Sequence, residues 1–399
     1  MKSIINKKAL LKALESLKGI TKKSRLYPIL ENVRLTTLEN TLLLRATDLR
    51  TSISYTIPKE DVYILNDGEL LLPSLELYNI IKETPDIEVM LESEVFNGKL
   101  TTEGGIFCIL GENPQKFPEM PEFDEKGTIE ISGDDFKKLI KKTLFATTSE
   151  KTRYDLDNVL IEIIGDVIRF VSTDGKRIAI CEKKYIAFTE IIDNRFTVPA
   201  LGLQQIEKVI SATKPEKVTL SFSESQLIFR TNDVLLIIQL SEVRFPPYEK
   251  VIPIALPYKA IIPSKEFLSV LKRICFLTDK KNKTIEIFFS NGKIDVFPIR
   301  DNNVTGNFTL PVEYNGNDLS IKFNPNFLLD FLKVIDSKKI SISLESKEHA
   351  ILLQDDDDFR YILLPKLEKE SNEVIEVQET DSILYKAYRL YADMKKNIC

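Results

Sequence analysis

Two short carboxylate segments are the first candidates for chemistry. Thr47-Asp48 and Thr173-Asp174-Gly175 each set an aspartate behind a threonine, 126 residues apart. Aspartates of this kind can hold a divalent cation and would then serve a metal-dependent nuclease or phosphohydrolase. Recurrence at equivalent places argues the other way, because a duplicated residue is more simply a turn or strand-end element than a catalytic base. Other catalytic constellations are absent from the sequence. The single histidine, His349, lowers the case for histidine-dependent hydrolysis or a histidine-rich metal site. The four cysteines, Cys108, Cys181, Cys275 and Cys399, form no C-x-x-C spacing. There is no Walker A loop, no G-x-S-x-G elbow and no H-E-x-x-H helix. The expectation is a non-catalytic chain with no cofactor and no metal.

A second kind of chemistry is phosphate attraction. The net charge is −5, from 55 basic and 60 acidic residues, so the chain is not coated with basic charge. The basic residues are nevertheless segregated. Lys7, Lys8, Lys12, Lys18, Lys22, Lys23 and Arg25 fall on one helical stretch and its exit loop. Lys137, Lys138, Lys141 and Lys142 fall on a second, and Lys265, Lys272 and Arg273 on a third, followed by Lys280, Lys281 and Lys283. Lys208, Lys333, Lys338 and Lys339 mark two later helices. Acidic residues gather instead at 119–125, at 355–358 and in the C-terminal residues. Rows of helical lysine suit sequence-independent, salt-sensitive contact with a nucleic-acid backbone. For any single helix a solvated face is the simpler reading, and it is the recurrence across helices that favours a shared surface.

The elements that must carry these residues repeat. Pro73, Pro199 and Pro325 each open an apolar pattern of helical period, and each lies 126 residues after the one before. Proline suits the first helical turn, where its missing N–H would have no partner. An earlier helical pattern precedes each: Ala9 to Leu17, Phe136 to Leu144, and Phe267 to Ile274. Between the helices lie strand-length apolar runs such as Val159–Ile163, Leu235–Ile238 and Ile285–Phe288, with turns at Asn97-Gly98 and Asn291-Gly292. Phe117-Pro118, Phe245-Pro246 and Leu364-Pro365 close the units. Each unit reads helix, strands, helix, strands. The expected fold is α+β, in three tandem units, each an antiparallel sheet with two helices on one face.

Composition agrees with a folded chain, at 43% hydrophobic and 29% charged residues. No window approaches 18 uninterrupted apolar residues, and the N-terminus lacks the apolar core of a signal peptide. The expectation is a cytoplasmic protein with reduced thiols and no membrane partner.

Several segments together are similar to the bacterial DNA polymerase III β subunit family, the sliding clamps. They are Tyr27–Asn32 with Leu44–Leu49, Arg153–Leu160 with Ser172–Ala179, Val198-Pro199-Ala200, Arg244–Pro253 and Tyr361–Pro365. The resemblance runs from about residue 1 to 367. It implies three DNA-clamp domains, at 1–122, 128–253 and 259–367, with a C-terminal extension at 368–399. It also implies a head-to-tail homodimer, a ring of six equivalent units with helices lining the hole around duplex DNA. Such a ring is a topological tether that raises the local concentration of bound polymerase without tight DNA affinity.

What the resemblance implies for sites is specific. A pocket for short peptides of the replicative polymerase, the clamp loader and repair factors would be walled by Leu156, by Thr173, Gly175, Lys176, Arg177 and Ile178, by Pro246, Lys250 and Val251, and by Ile362, Leu363, Leu364 and Pro365. Lys22, Lys23, Arg25, Arg153 and Tyr154 would meet double-stranded DNA. Phe107 and Ile109 of an edge strand would meet Phe276 and Leu277 across the dimer seam. Residues 368–399 continue where the family typically stops. Ile383, Leu384, Ala387, Tyr388, Tyr391 and Met394 in them have the spacing of one apolar helix face. Two alternatives stay open: a clamp-like scaffold or a plasmid or phage paralogue with restricted partners, and the metal-dependent enzyme.

Overall fold

A computed structural model describes residues 1–123, 127–150, 156–187, 194–278, 283–299, 306–356 and 358–367. Six helices recur in pairs among them: α1 (Lys7–Leu17), α2 (Ser74–Glu83), α3 (Gly133–Leu144), α4 (Ala200–Thr213), α5 (Ser264–Ile274) and α6 (Pro325–Val334). A strand leads directly into the first helix of each pair: Lys2–Asn6 into α1, Thr128–Ser132 into α3 and Tyr258–Pro263 into α5.

The local causes are visible in α5. Phe267, Val270, Leu271 and Ile274 make one buried stripe, Glu266 sits in the first turn, and Lys272 and Arg273 sit in the last. The stripe buries about 1.5–3 kcal/mol per side chain, and the terminal charges oppose the helix dipole. The proline markers do not all fall where the first-turn expectation puts them. Pro73 and Pro199 are the residues just before α2 and α4, whereas Pro325 is inside α6, which Asn324 caps by accepting from the Asn326 N–H. Proline fits both positions, because neither needs its amide hydrogen.

The chain forms two compact units, Met1–Ile140 with Ile163–Asp166 and Lys184–Glu242, and Lys141–Glu162 with Val167–Lys183 and Val243–Cys399. The middle repeat is divided between them. The reason is strand pairing that ignores the repeat boundaries. In the first unit Val234–Gln239 pairs antiparallel with Thr51–Ile57, with Leu236 opposite Ile53. This joins the strands Thr128–Ser132, Lys217–Phe222, Gln226–Arg230 and Val234–Gln239 to Thr51–Ile57, Thr41–Thr47, Asn32–Leu38 and Glu69–Pro73 in one sheet. In the second unit Arg177–Lys184 pairs antiparallel with Phe359–Leu363, with Ile178 opposite Ile362. That sheet continues through Ile351–Gln354 and Lys339–Leu344 to Tyr258–Pro263.

Each unit also has a smaller sheet. The first contains Val62–Asn66, Lys2–Asn6, Glu88–Glu94, Asn97–Thr102 and, at the end of the order, Gly105–Ile109. The second contains Phe308–Pro311, Lys293–Ile299, Thr284–Ser290 and Leu319–Phe323. Helices pack in pairs, α1 on α2 and on α4 in the first unit and α5 on α6 in the second. Gln205 of α4, 3% exposed, donates to the Ser16 carbonyl of α1.

Candidate functional site: an apolar groove and its basic surroundings

The Thr-Asp turns show what the repeated carboxylates do. Asp174 Oδ1 accepts from the backbone N–H of Lys176 at 2.9 Å and of Arg177 at 3.1 Å. Thr173 Oγ1 accepts from the Gly175 N–H at 3.0 Å. In the first repeat Asp48 Oδ1 accepts from Arg50 and Thr51, at 3.0 and 2.7 Å, and Thr47 Oγ1 accepts from Leu49 at 3.0 Å. Both are the same side-chain-to-backbone turn. The third residue has positive φ in both, +86° at Gly175 and +73° at Leu49. These carboxylates are engaged in holding turns, and among the described residues no group of three or more His, Cys, Asp or Glu is placed to hold a metal ion.

The turn delivers the strand Arg177–Lys184 to one side of an apolar cluster. Leu160, Val171, Ile178, Ile180, Tyr248 and Ile362 are its buried floor. Phe245, Val251, Ile252, Leu352 and Leu364 pack on that floor while only partly buried. Half-covered apolar side chains over a dry floor are what an extended peptide needs for anchoring. The Leu364 N–H bonds to the Lys176 carbonyl at 3.0 Å, which ties the end of the strand Phe359–Leu363 to the turn.

Tyr248 is fixed from below. Its hydroxyl donates to Glu162 Oε2 at 2.5 Å, and Arg169 reaches both that oxygen and the Tyr248 hydroxyl at 3.3 Å. Arg169 Nε also bonds Glu182 at 2.8 Å, and Arg360 pairs with the same carboxylate. Burial, then the hydrogen bond to Glu162, hold the Tyr248 hydroxyl well above its ordinary pKa.

The thirteen pocket residues implied by resemblance divide into classes. Ile178 and Ile362 belong to the buried cluster, and Val251 and Leu364 pack on it while half-buried. Lys176 and Lys250 are exposed beside it, Pro365 is half-buried, and Pro246, Leu156, Thr173 and Gly175 are buried. Leu363 is fully buried, and strand alternation turns it to the face opposite Ile362. Arg177 is spent inside the unit. Its guanidinium bonds Asp174, Asp330 and the Phe145 carbonyl at 2.8, 2.9 and 2.9 Å and lies 4.5 Å from the Phe327 ring centre. Burial opposes its charge, but Tyr361, Asp174 and Asp330 outweigh that and raise its pKa. Spacing alone did not indicate Tyr248, Phe245, Ile252 and Leu352. The available signal was the Arg244–Pro253 segment, which carries three of them.

The basic surroundings are partly as expected. Lys8, Lys138, Lys141, Lys208, Lys265, Lys272, Arg273 and Lys333 are exposed on helices, and Lys18 is exposed just after α1. Lys142 is not. It is 6% exposed and pairs with Asp355 at 3.0 Å and Asp356 at 3.2 Å, above the Phe359 ring. Its place next to Thr143 and Ile140 turns it inward, where a buried cation must be paired. Lys22, Lys23 and Arg25 are exposed, followed by Leu26 and Tyr27 at 85% and 56% exposure. Lys18, Lys22 and Lys23 edge a cavity of about 370 Å³ whose apolar wall includes Leu14, Leu75 and Tyr78. Arg153 and Tyr154 lie outside the described residues.

At the expected seam, Phe107 is 42% and Phe276 86% exposed, and Leu277 is half-buried. Ile109 departs from expectation at 3% exposure, and its exposed neighbours are Ile106 and Leu110. Two-residue spacing sets a common direction only while the strand stays regular, and Ile109 is the last residue of this one.

Comparison with known proteins follows the same division into three. The DNA polymerase III beta subunit N-terminal, central and C-terminal domain families match residues 1–121, 130–247 and 249–367. The chain is similar to the beta sliding clamp of Pseudomonas aeruginosa, 27% identical over 365 residues that cover 90% of this chain and 98% of that one. The beta sliding clamp of Chlamydia pneumoniae is 23% identical over 366 residues, 92% and 98% of the two chains. Among solved structures, the DNA polymerase III subunit beta of P. aeruginosa superposes with a TM-score of 0.85 at 25% identity, covering 92% of this chain and 100% of that one. The Bacillus subtilis sliding clamp shares the fold with a TM-score of 0.86 at 22% identity, over 92% of this chain and 99% of that one.

Proposed function

The chain belongs to the DNA polymerase III beta subunit family, and from that premise we propose how its surfaces divide the work of a sliding clamp. It is a DNA sliding clamp for replication, a processivity factor without catalytic residues of its own. Three clamp domains make up the chain, with boundaries placed at 1–122, 128–253 and 259–367. Two copies assemble head to tail into a ring of six domains around duplex DNA. The seam joins the Gly105–Ile109 edge strand of one copy, through Ile106 and Phe107, to Phe276 and Leu277 of the other. Both sides present exposed apolar surface, as a head-to-tail seam between two different patches requires.

The exposed helical lysines, with Lys22, Lys23, Arg25, Arg153 and Tyr154, face the DNA. Contacts of this sort release counterions and read no sequence, which suits a ring that must slide. The groove over Leu160, Ile178, Tyr248 and Ile362 receives short peptide motifs of the replicative polymerase, the clamp loader and repair factors. The protein works in the cytoplasm, and among the described residues no helix is long and apolar enough to cross a membrane.

The observation that carries the reading is the match of all three domain families in order along residues 1–367. The test is retention. Loaded onto nicked circular DNA by a clamp loader, the protein should stay on the circle through gel filtration and be lost after linearisation. Release from both forms alike would leave a scaffold with the same fold.

A further inference from the structure

The groove has a second property besides its apolar floor: its border is basic. Lys176 and Lys250 are exposed there, whereas the half-buried Lys366 turns away and donates its ammonium to Thr284 Oγ1 at 2.6 Å. The chain runs on from this border, and the Lys366 N–H bonds the Lys322 carbonyl at 2.7 Å. Leu364 packs on the floor, and three residues later Leu367 is 41% exposed. Residues 368–399 follow, outside the described residues and beyond the end of the C-terminal domain match at 367.

Their sequence is complementary in two parts. Glu368, Glu370, Glu373, Glu376, Glu379 and Asp381 make the first part acidic, against one lysine, Lys369. The second part carries Ile383, Leu384, Tyr388, Tyr391 and Met394 at the spacing of one apolar face. An acidic arm followed by an apolar stripe matches a lysine border around an apolar floor. Length is no obstacle, since the sixteen residues from Leu367 to Ile383 reach up to roughly 50 Å when extended.

We propose that residues 368–399 dock in this groove of their own chain, the acidic arm against Lys176 and Lys250 and the apolar stripe on Val251 and Leu364. The segment then competes with any partner peptide. This rests on the groove being the peptide site. A tethered ligand on a short linker has an effective concentration of about 1 mM, so a segment binding at about 0.1 mM would weaken a competing peptide about tenfold. Elevated salt weakens the acidic arm's contribution and narrows that gap.

The test uses the full-length chain and two fluorescein-labelled synthetic peptides, one with the sequence of residues 376–396 and one extended peptide presenting a Leu-Phe pair. Binding is compared for the wild type, for the double variant Leu384→Asp with Tyr388→Asp, and for that double variant with Val251→Glu added. Circular dichroism and sedimentation establish that all three keep the same fold and assembly. Both peptides should bind the double variant about tenfold more tightly than the wild type, and Val251→Glu should remove both. Equal binding of the Leu-Phe peptide by wild type and double variant, with loss on Val251→Glu, would overturn the docking and leave the groove reading intact. Failure of the Leu-Phe peptide to bind any form would overturn the groove reading. The docking is then decided by the 376–396 peptide: binding to the double variant that Val251→Glu abolishes upholds it, and any other result overturns it.

Discussion

The Tyr248 hydroxyl donates to Glu162 Oε2 at 2.5 Å from a ring buried in the apolar cluster with Ile178 and Ile362. One side chain thus belongs both to a buried apolar cluster and to a buried polar network. The segment it begins, Tyr248–Val251, carries Lys250 and Val251 to the border. Tyr248→Phe keeps the ring and removes the donor to a buried carboxylate, which costs about 1–3 kcal/mol of stability. Urea denaturation should report that loss, and fluorescence anisotropy should show weaker peptide binding. Undiminished affinity would detach the network from the groove.

At the seam, substitution should separate interface from core. Phe276→Asp and Phe107→Asp place charge on exposed positions and should yield folded monomers in sedimentation velocity. Ile109→Asp puts a charge at a position 3% exposed and should unfold the first small sheet, at a cost of more than about 3 kcal/mol. A folded monomer from Ile109→Asp would contradict its burial.

Asp48 and Asp174 make the same turn, but only Asp174 also holds a buried arginine. Asp48→Ala should cost about 1 kcal/mol, the scale of a surface turn, whereas Asp174→Ala should cost about 3–5 kcal/mol by leaving the Arg177 guanidinium short of a partner. Thermal denaturation distinguishes them. Magnesium should shift neither midpoint, and a magnesium-dependent rise lost in Asp174→Ala would revive the metal reading.

Cys181 is fully buried, and burial pushes its thiol up to about 12 from an ordinary 9.0. A raised acid pKa in the fold means that the neutral form is favoured there. Its contribution is therefore complete below pH 9 and is lost as pH rises from about 9 towards about 12, where the unfolded thiol ionises first. Denaturation midpoints at pH 8 and pH 10 should fall more steeply for the wild type than for Cys181→Ala. At pH 8, iodoacetamide should spare Cys181 in the native protein and modify it once urea has unfolded the chain.

The repeat was legible because it rests on local patterns. Helical period, the 126-residue spacing and the Thr-Asp turns all lie within a few residues of sequence. Side-chain direction was legible only in part. Ile362 and Leu364 share a face that parity predicts, and the same parity excludes Leu363. Lys142 and Arg177 look like surface cations in sequence. Their burial depends on Asp355, Asp356 and Asp330, which are more than 150 residues away. The division of the middle repeat was not legible either, because Leu236 opposite Ile53 and Ile178 opposite Ile362 are pairings between distant strands.

That division bears on how the molecule comes apart. Backbone amides in Val234–Gln239 are bonded into a sheet with the first repeat, and those in Arg177–Lys184 into a sheet with the third. The middle repeat has no separate large sheet in which to open alone. Its amides should exchange with solvent in two cooperative groups, each following the neighbour whose sheet it completes. Three units of sequence would then behave as two units of unfolding.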